Sequence, residues 1–193
     1  MAKRVFFSFH YQDVIDFRAN VVRNHWLTKK DRDDAGFFDA SIWESAKKQG
    51  DVALKRLING GVTGTTRTAV LVGSDTANRR WVRYEIFRSI WAHNAVIAVH
   101  INGIKGRNGR TKANGTSPFS VLGLYYSVDG KSVTPCYLSG GSWYTFDDYS
   151  KYTLGSRAAQ SRWGRTYSLD ALGYRTYDWV ANNGYNNFGS WVA

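Results

Sequence analysis

The chain has 193 residues, of which 26 are Lys or Arg and 15 are Asp or Glu, so its formal net charge is +11. This length favours a single domain, and a hydrophobic content of 43% with 8 Trp, 12 Tyr and 10 Phe excludes general disorder. A single cysteine, Cys136, excludes an intramolecular disulfide framework and a cysteine-cluster metal site.

The first third of the chain predicts two strands and two helices. Residues 4–9 (RVFFSF) form a β-branched and aromatic run of strand length, and residues 13–27 carry apolar side chains at helical spacing. Residues 36–40 predict a short second strand. Residues 51–61 predict a second helix, which the glycine pair at 60–61 is expected to end.

The next segment continues this alternation of strands and helices. Residues 68–72 (TAVLV) and 95–101 (AVIAVHI) are apolar runs typical of buried strands, and residues 78–94 between them predict a third helix. Four strands alternating with three helices predict an α/β fold with a central parallel sheet flanked by helices. This predicted core spans residues 1–104.

The pattern changes after residue 104. Residues 105–165 carry nine Lys or Arg against three Asp, and Asp129-Gly130 stands between strand-like arms. We therefore expect a basic β-hairpin insertion after the fourth strand. Residues 166–193 return to an amphipathic pattern and predict a C-terminal helical segment, so that residues 1–193 form one domain.

Charge and hydropathy bear on location and partners. No run approaches the roughly 18 apolar residues of a membrane span, and the start of the chain lacks a signal peptide, so we expect a cytoplasmic protein without membrane contact. A charge of +11 favours an anionic partner. Basic residues interleaved with Tyr and Trp in the insertion would suit a nucleic-acid strand, but no recognised module is present. An insertion that shapes a pocket or an oligomer contact is therefore the favoured interpretation.

Candidate site residues follow from the predicted sheet, because an open parallel sheet binds ligands beyond the carboxyl ends of its strands. Ser8, His10 and Tyr11 follow the first strand, Asp39 the second and Ser74 the third. His10 and Tyr11 have a simpler explanation as pocket rim residues, and Ser74 has one as a helix cap. The sequence has no glycine-rich nucleotide loop and no paired histidines, so neither a cofactor nor a metal is predicted.

Glu85 is one of only two glutamates in the chain, and it falls in the predicted third helix. Trp81 lies four residues earlier, so the two side chains share one helix face. A carboxylate beside an indole can hold a ribose and a flat ring together. The alternative is a surface glutamate in weak ion pairs with nearby arginines, and from spacing alone both interpretations stay open.

Three segments resemble a known family along the whole chain. KRVFFSFHYQD, TAVLVGSDTANRRWVRYEI and YDWVANNGYNNF are similar to the TIR-like ThsB proteins of the bacterial Thoeris antiphage system. The most specific piece is Ser74, Trp81 and Glu85, which resembles the Ser…Trp-x-x-x-Glu pattern of TIR domains that cleave NAD. The resemblance implies a flavodoxin-like TIR fold with Glu85 as the catalytic carboxylate.

The resemblance also implies an activity. Such a protein would cleave the nicotinamide–ribose bond of NAD, its substrate, and form a cyclic ADP-ribose isomer that activates a partner NADase after infection. Phe6, Phe9, Tyr11 and Trp81 would then be candidates to stack on nicotinamide or adenine. The resemblance leaves room for a homo-oligomer, and the alternative function is a non-enzymatic TIR interaction module.

Overall fold

The computed structural model describes residues 3–38 and 40–193. Its strands are β1 (Lys3–Phe9), β2 (Arg32–Ala35), β3 (Arg67–Val72), β4 (Ala95–His100), β5 (Leu122–Tyr126), β6 (Ser132–Ser139), β7 (Ser142–Thr145), β8 (Tyr152–Thr153), β9 (Thr166–Ser168) and β10 (Arg175–Asp178). Its helices are α1 (Tyr11–Ile15), α2 (Arg18–Leu27), α3 (Ala40–Lys48), α4 (Asp51–Val62), α5 (Arg80–Trp91), α6 (Pro118–Val121) and α7 (Gly184–Trp191). Within these ranges, no helix has both the length and the apolar character that a membrane crossing requires.

Five parallel strands form the central sheet, in the order β10-β4-β3-β1-β2. Read from β2, this is the 2-1-3-4-5 order of the doubly wound, flavodoxin-like fold. Residues of α2 and α7 cover one face of the sheet, and residues of α4 and α5 cover the other. The predicted parallel sheet flanked by helices is therefore confirmed.

Alternating side chains of the inner strands fill two cores. Phe7, Leu71 and Val99 point to the face with α2 and α7, whereas Phe6 and Val70 point to the face with α4 and α5. Successive side chains of a strand lie on opposite faces, so a strand covered on both sides must be apolar throughout. This is why the apolar runs of β1, β3 and β4 could be found in the sequence.

The fifth strand corrects the prediction of a helical segment over residues 166–193. β9 and β10 both lie in that segment, and only its last part, α7, is an α-helix. β10 pairs with β4 in parallel register, with Arg175 opposite Ile97 and Asp178 opposite His100. Through this pairing, the backbone groups on the outer side of β4 find hydrogen-bond partners. The ring of Tyr177 also stacks on that of Trp191, with ring centroids 4.3 Å apart.

The insertion is larger than the predicted hairpin. β5 and β6 are antiparallel and the turn between them contains Gly130 at φ 67°, but β7, β8 and β9 join them in a five-stranded antiparallel sheet. Its buried side chains, among them Phe119, Leu122 and Phe146, belong to the same apolar cluster as Phe87 of α5. The second sheet therefore packs directly on the α/β core.

Two further predictions near the start of the chain were wrong in position. The second strand is Arg32–Ala35, not residues 36–40, because Gly36 has φ 89° and a Cβ there would lie 2.3 Å from the carbonyl oxygen of Phe7. The first helix is interrupted at Phe17, whose left-handed φ of 64° separates α1 from α2.

The glycine pair at 60–61 does not end the helix as predicted, because α4 continues to Val62. A Cβ on Gly60 would meet nothing within 4 Å, whereas one on Gly61 would lie 2.9 Å from ring atoms of Phe38 and Phe6. Gly60→Ala should therefore raise the free energy of unfolding by about 0.5–1 kcal/mol, since alanine restricts the unfolded chain. Urea denaturation measures this, and Gly61→Ala should instead lower the midpoint. A Gly60→Ala protein less stable than wild type would contradict the prediction.

Candidate active site

A cavity of about 510 Å³ opens beyond the carboxyl ends of β1, β2 and β3. Its lining comes from β1 and from the segments that follow the three strands: Phe7 and Phe9 in β1, residues 10–11 after it, Gly36 and Phe38 after β2, and residues 78–82 and Glu85 after β3. α3 adds a further wall with Trp43. The cavity thus lies where a doubly wound sheet places its ligand, and its volume suits a small organic molecule.

Glu85 lies on the second turn of α5 with only 6% of its surface exposed. The residue lines the cavity, and its Oε2 accepts a hydrogen bond from the Ser8 hydroxyl at 2.5 Å. Burial raises the pKa of Glu85 to about 8, and the bond from Ser8 partly opposes this rise. In the free protein the group is therefore mainly a neutral acid at pH 7, not the exposed ion-paired glutamate of the alternative interpretation.

The local packing of α5 explains this placement. Val82, Ile86 and Phe87 are buried in the core, so the helix is anchored to the sheet on its apolar side. Trp81 and Glu85 are four residues apart and both line the cavity, as their spacing predicted. The buried carboxyl is thus carried on a rigid element rather than on a loop.

Aromatic side chains form much of the wall. Phe38 and Trp43 are nearly parallel, with ring centroids 6.4 Å apart, and Tyr11 is 50% exposed at the cavity. The full aromatic set of the lining is Phe7, Phe9, Tyr11, Phe38, Trp43 and Trp81. Such a wall favours flat, partly apolar ligands.

Three cationic side chains complete the lining, and one of them, Arg80, already forms ion pairs with two aspartates. The Arg80 guanidinium donates to Asp148 at 2.7 Å and to Asp51 at 2.6 Å, and it also lies 4.7 Å from the Trp81 ring. Arg80 in turn holds the pKa of Asp148 below its usual range. The other two cations, Lys47 and Arg79, are exposed.

Both exposed cations have a single acidic neighbour among the described residues. Lys47 lies 3.8 Å from Glu44, and Arg79 pairs with Asp75. Exposed pairs of this kind are weak and exchange easily with another anion. The cavity therefore combines a buried carboxyl, aromatic walls and cations that an anionic ligand can reach.

The structure brings most of the predicted site residues together. Phe9, His10, Tyr11, Trp81 and Glu85 line the cavity. Burial, followed by the charge of Arg79, lowers the pKa of His10 and so favours its neutral form.

Three other predicted residues do not line the cavity. Ser8 is fully buried and reaches the cavity only through Glu85, and Phe6 is fully buried in the core beside α4. Ser74 is exposed and accepts a hydrogen bond from the Asn102 amide at 2.9 Å. Asp39 lies outside the described residues.

Sequence reasoning missed the contribution of α3. No helix was predicted for residues 41–48, whereas Trp43, Glu44 and Lys47 all line the cavity from α3. Trp43 and Lys47 are four residues apart, so a helical interpretation of SIWESAKK would have placed them on one face.

The strand order of a flavodoxin-like sheet, with a buried glutamate one helical turn after a tryptophan on the helix after β3, defines a TIR-like domain. Residues 6–105 match the family described as Thoeris protein ThsB, TIR-like domain. The chain is also 57% identical over 192 residues to a Bacillus cereus (strain MSX-D12) protein named "Putative cyclic ADP-D-ribose synthase ThsB1", with 100% of both chains covered. The chain therefore belongs to the ThsB family of TIR-like Thoeris proteins, as the resemblance predicted.

Proposed function

We propose that this protein is an NAD-consuming signal synthase that cleaves the nicotinamide–ribose bond and closes the remaining ADP-ribose into a cyclic isomer. The observation that carries the proposal is Glu85, a buried acidic residue that lines an aromatic cavity at the ligand-binding edge of the sheet. The name of the Bacillus cereus relative, a cyclic ADP-D-ribose synthase, supports the same reaction.

The chemistry requires a negative group beside the ribose. When the C1′–N bond breaks, its electron pair leaves with neutral nicotinamide and the sugar becomes an oxocarbenium-like cation. The Glu85 carboxylate would stabilise that charge in a site shielded from water, where electrostatic interactions are strong. An atom of the ADP-ribose part then bonds to C1′ and loses a proton, so the products are nicotinamide, the cyclic nucleotide and H⁺.

The high pKa of Glu85 fits this role once substrate is bound. The nicotinamide ring of NAD carries a positive charge, and an opposite charge nearby favours the ionised carboxyl. Substrate binding would therefore lower a pKa that stands at about 8 in the free protein. Departure of nicotinamide removes the ring charge as the sugar becomes cationic, so the carboxylate keeps a positive partner throughout.

The rest of the cavity suits the other parts of NAD. Phe9, Tyr11 and Trp81 are placed to stack on a flat ring, and Lys47 and Arg79 are available to the diphosphate. Arg80 is a poorer candidate because Asp51 and Asp148 already take up its donors. NAD is the substrate in this proposal, and the reaction needs no separate cofactor.

The proposal includes the biological role that the resemblance implied. The cyclic product would diffuse in the cytoplasm and activate a partner NADase, without a stable complex between the two proteins. The competing function is that of a TIR scaffold that acts by association alone.

Small-molecule mass spectrometry of infected cells tests the reaction. Cells carrying this protein should accumulate nicotinamide and a compound with the mass of ADP-ribose less one water, while uninfected cells should show little of that compound. The compound should carry a label supplied in adenine. Infected cells with normal amounts of the protein and no such compound would contradict the enzyme and favour the scaffold.

A further inference from the structure

Two buried hydroxyl contacts join α5 to the central sheet. Ser8 of β1 donates to Glu85 Oε2 at 2.5 Å, and Thr68 of β3 donates to the Ser89 hydroxyl at 2.8 Å. Glu85 and Ser89 are one helical turn apart, and all three hydroxyl-bearing residues are fully buried. Only the first contact involves a residue that lines the cavity.

Ser8 cannot meet a ligand in this arrangement. Its surface is 0% exposed, and it is not part of the cavity lining, although it was predicted to bind substrate. A serine hydroxyl has one proton to donate, and here that proton is directed to Glu85. Any effect of Ser8 on chemistry must therefore pass through that carboxyl.

The contact is short. A separation of 2.5 Å lies at the lower end for hydrogen bonds between oxygens, and once Glu85 is ionised the bond becomes charge-assisted, about twice as strong as one between neutral groups. The terminal torsion of a glutamate side chain is otherwise broad, so a free carboxyl would sample several orientations. Among the described residues, Ser8 provides the only hydrogen bond to the Glu85 carboxyl.

We propose that Ser8 is a positioning residue, whose hydroxyl holds Oε2 of Glu85 against β1 and leaves Oε1 for the ribose. The inference rests on the proposed function for its catalytic consequence. The hydroxyl also favours the ionised carboxyl, because a donated hydrogen bond stabilises negative charge. Ser8 thus sets both the direction and the charge of the group that meets the sugar.

The chain offers a direct measurement of this effect. Glu44 and Glu85 are its only glutamates, so ¹³C-carboxyl glutamate labelling gives two resonances, and the Glu85→Gln protein assigns them. Titration of wild type should show Glu85 with a pKa of about 8. In Ser8→Ala the pKa should rise by about one pH unit, because a hydrogen bond to a charged group is lost. In Ser8→Cys, which keeps a weaker donor, it should rise by less.

Ser89→Ala is the matched control, since it removes a buried hydroxyl contact of the same helix away from the cavity. It should leave the Glu85 titration and the cyclic product in infected cells unchanged, whereas Ser8→Ala should reduce the product at least about tenfold at equal protein level. An unchanged Glu85 pKa in Ser8→Ala, or an equal loss of product in Ser89→Ala, would overturn the inference.

The titration tests the contact between Ser8 and Glu85, whereas the product assay tests the proposed function. A shifted pKa with no cyclic product from wild type would leave the contact established and the proposed function wrong. Product formation by wild type that Ser8→Ala does not reduce would overturn the positioning role alone. If Ser8→Ala fails to fold, the smaller shift in Ser8→Cys is the deciding measurement, and no shift there contradicts the inference.

Discussion

Glu85→Gln is expected to reduce the cyclic product of infected cells by about 10²- to 10³-fold while the protein folds normally. Loss of one preorganised charged group at a developing transition-state charge has effects of this size. Gln has the shape of Glu and keeps an oxygen that can accept the Ser8 hydrogen bond. It cannot supply the negative charge that the ribose cation requires.

The control for this variant is Asp31→Asn, which makes the same acid-to-amide change at the other end of the sheet. Asp31 is exposed and stands just before β2, whereas the cavity lies beyond the carboxyl ends of the strands. Product should stay at the wild-type level in Asp31→Asn. Full antiphage signalling by a well-folded Glu85→Gln protein would contradict the proposed enzymatic function and favour the scaffold function.

Glu85→Gln is also expected to stabilise the protein at alkaline pH. The folded protein holds the Glu85 proton up to about pH 8, but the unfolded chain releases it near the ordinary value of 4.5. Between these values the folded state binds more protons than the unfolded state, so stability falls as pH rises. The loss is roughly 1.4 kcal/mol for each pH unit in that window. Below this pH window the Glu85 carboxyl is neutral in both states, so its burial lowers the free energy of unfolding only slightly.

Urea denaturation at pH 5 and pH 9 measures this effect. The free energy of unfolding of Glu85→Gln, relative to wild type, should increase by several kcal/mol between the two pH values. Burial also raises the pKa of Asp13 to about 6, but Asp13 titrates in both proteins and cancels in the difference. Asp31→Asn should follow wild type. A Glu85→Gln protein whose relative stability is independent of pH would show that the carboxyl is ionised in the folded state.

The buried elements of the fold were predictable because burial dictates the spacing of their apolar residues along the sequence. β3 and β4 are apolar runs covered on both sides, and α5 shows a clear 3.6-residue periodicity. The relation between Trp81 and Glu85 followed from helical spacing alone. Their position at the cavity then followed from the rule for parallel sheets.

The elements that were misplaced lack such patterns. β2 is the polar segment Arg32–Ala35 at the edge of the sheet, where pairing with β1 decides the structure and burial does not. β10 depends on an edge of β4 that becomes its neighbour only in the folded protein. The break at Phe17 places a bulky residue in the left-handed region, which local propensity disfavours.

The site was only partly predictable for a related reason. The sequence pointed to Glu85 and to the residues after β1, but the wall from α3 needed a correct secondary structure for residues 40–48. The link between Ser8 and Glu85 joins residues 77 positions apart, and no spacing rule detects it. Long-range contacts of this kind require the three-dimensional structure.

The late position of β10 and α7 in the chain affects the timing of folding. Phe188 of α7 packs on Phe7 at 6.0 Å and on Trp26 at 5.7 Å, so the first strand lacks part of its cover until the last helix is made. When translation has reached only the end of the insertion, the nascent chain has an uncovered apolar face on the sheet and an unpaired edge on β4. Such intermediates are prone to aggregation and to capture by chaperones. This protein can therefore complete its core only after α7 has emerged from the ribosome.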